Sequence, residues 1–225
     1  MNPNPLIQIA TWLIPLIIAI VFHEVSHGLV ARSLGDPTAK DQGRLSLNPL
    51  RHIDAFGTVI LPLILAISHA PIFGWAKPVP INYRRLRNPR RDMVLVALAG
   101  PGMNLLLAIV GAVALAATLS LSADPSGMAT TLVAGNAFNF IQINLFLAVF
   151  NLLPIPPFDG GHVVQGLLPP SAAAAFGKIG RYALLVLVVL LLVLPALGIN
   201  VVGRLVSPVV NHLASGLLGL FGIAA

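Results

Sequence analysis

His23, Glu24 and His27 are the residues from which chemistry is most readily built. They stand as His23-Glu24-Val25-Ser26-His27, and the chain's only glutamate lies between its only two histidines spaced four apart. Residues four apart share one face of a helix, one turn above the other, so both imidazoles can bind one ion. The intervening carboxylate then stands beside the open metal position, where it can take a proton from water. Zinc lowers the pKa of such a water towards ~7 and makes hydroxide available at neutral pH. The competing reading is a structural pair of helix histidines with a nearby acid. Ionisable groups inside an apolar span are costly and mark function, which favours the metal.

Two histidines leave zinc short of a third protein ligand. The chain has no cysteine, so the choice falls on Asp or His. Asp36, Asp41, Asp54 and Asp92 sit in or beside basic loops, and Asp124 lies at the opposite end of a span. Asp159 closes a long uncharged run, Asn151-Leu-Leu-Pro-Ile-Pro-Pro-Phe-Asp159-Gly160-Gly161. Pro154, Pro156 and Pro157 break a helix there, and irregular backbone carrying one acid at membrane depth suits delivery of a ligand. A proline-rich helix end with a solvated aspartate is the plainer alternative. Of the remaining histidines, His52 and His162 are placed to reach the site, whereas His69 and His212 stand alone.

The elements that hold these residues are read from composition. Of 225 residues, 57% are hydrophobic and 9% charged, with a mean hydropathy of +0.92. Soluble domains carry about 25% charged residues, so a soluble enzyme, a disordered chain and a nucleic-acid-binding domain are excluded. Residues 1–22, 93–123, 125–158, 182–203 and 205–225 contain no Asp, Glu, Lys or Arg. A crossing needs about 20 mainly apolar residues. The expectation is an all-α polytopic membrane protein of about five to six transmembrane segments, in a single domain over 1–225. Its catalytic core is expected at about 6–34, 92–119 and 130–162, with C-terminal helices over 180–225. The N-terminal run lacks a basic region and a cleavage site, and it leads directly into His23, so it is read as a mature helix and not a signal peptide.

Six bases and no acid between Lys77 and Arg91, against no base in 124–135, place the first loop inside and the second outside. The segment 56–73 is apolar but short and carries Pro62 and Pro71; a re-entrant segment, or one whose return leg is extended, keeps the loop parity. Residues 43–53 alternate apolar and polar, which predicts a membrane-associated β-hairpin within a hairpin/re-entrant unit over 40–80. Gly100-Pro101-Gly102 with Asn104 is read as a structural close-packing stretch, Asn104 being only an outlying candidate for the site, and Trp12, Trp75 and Tyr83 as interface anchors.

His-Glu-Val-Ser-His within a span, together with the pattern from Asn151 to Gly160, resembles the site-2 protease family of intramembrane zinc metalloproteases. The stretch Ala99-Gly100-Pro101-Gly102-Met103-Asn104 is similar to that family's central helix, and GRLSLNPLRHIDAFGT and GWAKPVPIN are similar to segments of its compact prokaryotic members. The resemblance implies a three-helix core in the bilayer, one zinc per chain, and regulated intramembrane proteolysis of transmembrane protein substrates. Carried over by position, His23, His27 and Asp159 are the ligands and Glu24 is the general base. Asn151 matches the motif asparagine that positions substrate or stabilises the oxyanion. A PDZ or CBS domain, found in many relatives, is absent from the sequence. The implied setting is the cell membrane, crossed several times, with the active site towards the cytoplasm. Two rivals remain: a catalytically silent relative that binds membrane helices, from which Glu24 or a ligand would be missing, and a metal or ion transporter, which would spread ionisable groups over several spans.

Overall fold

Three long helices hold the centre of the computed structural model, which describes residues 5–68, 73–124 and 126–223, with side chains from residue 11 onward. His69 and Pro71 lie outside the described residues. The N-terminal helix, Pro5–Ser33, runs towards the basic end of the molecule. The central helix, Pro89–Leu121, begins with a proline whose missing N–H would have no helical partner anyway. The third core helix is Met128–Asn151. Val96 and Asn104 of the central helix meet His27 and His23 in that order, so it runs antiparallel to the N-terminal helix. Asn139 meets Thr11 and Asn144 lies level with Ala19, so the third helix runs parallel to the first.

Small residues bring these helices close. A Cβ on Gly111 would stand 2.9 Å from Ile141 and 3.0 Å from Phe140. Ala108, Ala112 and Leu115 pack there against Ile141 and Leu145; Val206 and, from the C-terminal helix Ser207–Gly219, Val210, Ala214 and Leu218 join the same cluster. In lipid, close packing of this kind replaces the hydrophobic effect as the source of helix association.

Four helices are long and apolar enough to cross a membrane: Thr11–Ser33, Pro89–Leu121, Met128–Asn151 and Pro170–Ala196. Among the described residues four such helices stand against the five to six expected. The apolar helix Ala55–Ile67 has 13 residues, about 20 Å against a hydrocarbon core of about 30 Å. Past Ala196 the chain turns at Gly198, whose φ of +79° favours glycine. The helical stretch that follows is a π turn, Val202–Val206, and then Ser207–Gly219.

The link from the first to the central helix carries a second correction. No β-strand forms among the described residues, and the hairpin expected over 43–53 is absent. Pro49 has no N–H and opens a 3-10 turn, Pro49–His52, capped by the Asn48 side chain on Leu50 N. The His52 ring donates back to Ser46 O at 2.8 Å, using an acceptor that a ladder would need. After the short helix, residues 73–82 form no regular element and return to its start: Trp75 N donates to Gly57 O and Lys77 N to His52 O. A Cβ on Gly57 would collide with the Trp75 ring, so the close approach of the two legs requires glycine there. Trp75 thus packs within the unit, beside Phe56.

The unit is anchored to the base of the first helix. That helix ends at Gly35, with φ +110°, and Asp36 N closes onto Ala31 O. Asp36 is 1% exposed and accepts from Thr38 N, Thr38 Oγ1 and Asn82 N.

Candidate metal centre

The His-Glu-x-x-His turn occupies the last third of the N-terminal helix and faces the central helix. His27 Nδ1 lies 2.7 Å from Val96 O, an atom that can only accept, so Nδ1 carries the proton. His23 Nδ1 lies 2.6 Å from Asn104 Oδ1. Asn104 is fully buried and spends its amide protons on Ala19 O and Asn144 Oδ1. Its oxygen is therefore the acceptor, and His23 Nδ1 is the donor. In its neutral form each ring then presents a bare Nε2 lone pair.

Asp159 meets these lone pairs. Past Asn151 the chain turns through Leu153, Ile155 and Phe158, with Phe158 N donating to Ile155 O, and a new helix, Asp159–Leu167, begins at the acid. Gly160 and Gly161 permit this fold-back, since a Cβ on Gly161 would stand 2.7 Å from Pro156 N. Arg90 of the central helix donates to Gly166 O and Leu168 O and fixes the far end of the same short helix.

Asp159 Oδ2 lies 3.2 Å from His23 Nε2 and 3.4 Å from His27 Nε2, and the two Nε2 atoms are 3.1 Å apart. Oδ2 is buried with no hydrogen-bond donor. With both rings in the neutral form, three lone-pair donors face one another in one small triangle, an arrangement that a bound cation satisfies. Tetrahedral bonds of about 2.0–2.1 Å give ligand separations of about 3.3 Å, so the triangle fits zinc. A Cβ on Gly100 would fall 2.5 Å from both His23 Cε1 and His27 Nε2, so the central helix passes the group at a glycine.

The group opens onto a cleft of about 1080 Å³, lined among others by Glu24, Asn151, Phe158 and His162. Glu24 is half-buried, and its Oε2 accepts from Val79 N at 2.8 Å. Asn151 faces the cleft with its Nδ2 bonded back to Leu147 O. His162 lines the cleft outside the triangle, and His52 is buried against Ser46 O. Neither joins the three acceptors. The sequence reading missed Asn144 and the Val79 amide. Asn144 did leave a signal, an amide in an uncharged span, where each polar group needs a partner. The Val79 amide left none, because a backbone donor has no residue type.

A family model described as peptidase family M50 matches residues 122–194, the stretch holding Asn151 and Asp159. The protein named "Putative zinc metalloprotease YwhC" of Bacillus subtilis is 40% identical over 186 residues, 83% of this chain and 82% of that one. "Putative zinc metalloprotease Rip2" of Mycolicibacterium smegmatis is 32% identical over 85% of this chain and 68% of its own length. The archaeal "Putative zinc metalloprotease MJ0611" of Methanocaldococcus jannaschii is 35% identical over 64% of each. No solved structure matches the chain significantly. The chain belongs to peptidase family M50, the site-2 protease family, and is a metalloprotease of a membrane.

Proposed function

We propose that the protein hydrolyses peptide bonds within or beside transmembrane segments of protein substrates, in regulated intramembrane proteolysis, with His23, His27 and Asp159 as the ligands of one zinc ion. The observation that carries this reading is the close triangle of His23 Nε2, His27 Nε2 and Asp159 Oδ2 beside Glu24. When bound, zinc supplies a Lewis acid that acidifies water and polarises a scissile carbonyl.

The chain's own residues do the rest. Asn104 and Val96 O fix the imidazole tautomers. Glu24 is the general base: Val79 N occupies Oε2, which leaves Oε1 to take the proton from the attacking water and pass it to the leaving amine. Ile20, Met93 and Phe150 give the cleft an apolar wall that limits access of bulk water. Asn151, on the cleft wall, positions the substrate carbonyl. A helical substrate shields its peptide bonds and must unwind to be cut. The Ala76 N–H and carbonyl have no partner among the described residues and border the cleft. They offer an unwound substrate a backbone to pair with, the role expected of residues 43–53. The cleft opens at the end of the bundle near Arg32 and Arg84–Arg91, which the charge rule assigns to the cytoplasm of a cell membrane.

The test is Glu24→Gln in the full-length protein, incubated with single-span membrane proteins. It keeps both imidazoles and the zinc, and cleavage falls by about 10²–10⁴-fold or more. Cleavage at the wild-type rate, or wild-type activity undiminished by a zinc chelator, would overturn the mechanism.

A further inference from the structure

We infer that Arg44 is a positioning residue for Glu24, acting through the backbone of Lys77 and Val79. This rests on the reading of Glu24 as the base.

Between Trp75 and Val79 the segment shows its donors with the period of two of an extended strand. Trp75 N goes to Gly57 O, Lys77 N to His52 O at 2.8 Å, and Val79 N to Glu24 Oε2 at 2.8 Å. Alternate amides of extended backbone point to one side, so fixing Lys77 fixes the direction in which Val79 points. Pro78 and Pro80 have no N–H, and Pro80 holds Val79 in the extended region. Val79 therefore carries the single amide of this triplet, and that amide meets the carboxylate. Its side chain is 5% exposed and sits over Gly28, one residue past His27, where a Cβ would come within 2.8 Å of Val79 Cγ1. The segment is thus seated on the helical turn that bears Glu24.

Arg44 secures the other face of Lys77. Its Nη2 donates to Lys77 O at 2.8 Å, so the flanking peptides of Lys77 are held by His52 O and by the guanidinium. Arg44 is 9% exposed, its Nε has no partner, and no carboxylate pairs with it among the described residues. A buried guanidinium held only by a carbonyl is an expensive way to gain stability. It is an effective way to fix one peptide, because the planar fork has few ways to shift.

The experiment uses full-length protein in detergent and three readings: amide exchange at Val79, zinc per chain, and steady-state cleavage of a single-span substrate. Pro78 and Pro80 carry no amide, so Val79 is the single exchanging position of this triplet. In Arg44→Met, zinc is retained, Val79 exchanges about tenfold faster, and kcat falls about ten- to a hundredfold while KM stays within about twofold. Arg44→Lys, which keeps a donor for Lys77 O, recovers most of both. Glu24→Ala, with Arg44 intact, speeds Val79 exchange to the same degree and decides the contact even if Arg44→Met does not survive purification. Unchanged Val79 exchange in Glu24→Ala or in Arg44→Met overturns the inference. So does a loss of kcat in Arg44→Met that lysine fails to restore while restoring the exchange. If wild-type protein cuts nothing but the exchange pattern holds, the protease reading fails and the positioning stands.

Discussion

At position 159 a carboxylate oxygen faces two imidazole lone pairs with no donor to answer it, and this makes the residue a sharp probe of the site. Asp159→Ala removes the anionic member of the triangle and is expected to lose zinc on dialysis against a weak chelator, while His52→Ala and His162→Ala keep one equivalent. Retention by the aspartate variant with loss by a histidine variant would reassign the third ligand. Asn104 acts one step further out. Asn104→Leu frees the His23 ring to take either tautomer, and zinc affinity is expected to fall about 10–100-fold by competition titration. Asp36 offers a pH-dependent test away from the membrane. Burial alone raises its carboxyl, but bonds from the Thr38 hydroxyl and from the Asn82 and Thr38 amides outweigh it and hold the pKa below the ordinary 3.8. A lowered folded pKa stabilises the protein above the unfolded value, and this is lost as pH falls through the folded one. Asp36→Asn is therefore expected to lower unfolding stability at pH 7 by about 1–3 kcal/mol. The gap to wild type should narrow below about pH 4.

Among elements, the central helix passes the His23–His27–Asp159 group at Gly100, and the passage is tight on one face only. Gly100→Ala should raise intrinsic helix propensity by about 1 kcal/mol, yet its Cβ lies 2.5 Å from both imidazoles. The expected outcome is unchanged circular dichroism with zinc largely lost. Gly102→Ala, where nothing lies within 4 Å, is the matched control and should keep its zinc. The long helices were legible because an apolar run that avoids charge over 20 or more residues has few other uses. The unit between them was legible only as a short insertion. Its alternation over 43–53 mimicked a strand, while the true pairings of 75 and 77 are with Gly57 and His52, partners that no local pattern names.

For the whole molecule, the triangle lies at the end of the bundle that carries the basic loop. A reporter fused within Arg84–Arg91 is expected to read cytoplasmic, and one at Ser126 external; reversed readings would turn the site to the other side of the membrane. The grouping of His23, His27 and Asp159 could be read from residue type, since each is an ionisable group that an apolar chain does not carry idly. What surrounds them was less legible. Asn144, the Val79 amide and the glycine face of the central helix act through shape and backbone, which composition does not record.

The triangle draws its corners from residues 23, 27 and 159, so it spans more than half of the chain in sequence. During synthesis the first helix enters the bilayer with both imidazoles, but their acid follows only after two further long helices. At about 5–20 residues per second, that interval is on the order of ten seconds. Until it ends, the nascent protein carries an incomplete site among other newly inserted helices. The order of the chain thus places assembly of the His-His-Asp group after insertion of the first helices.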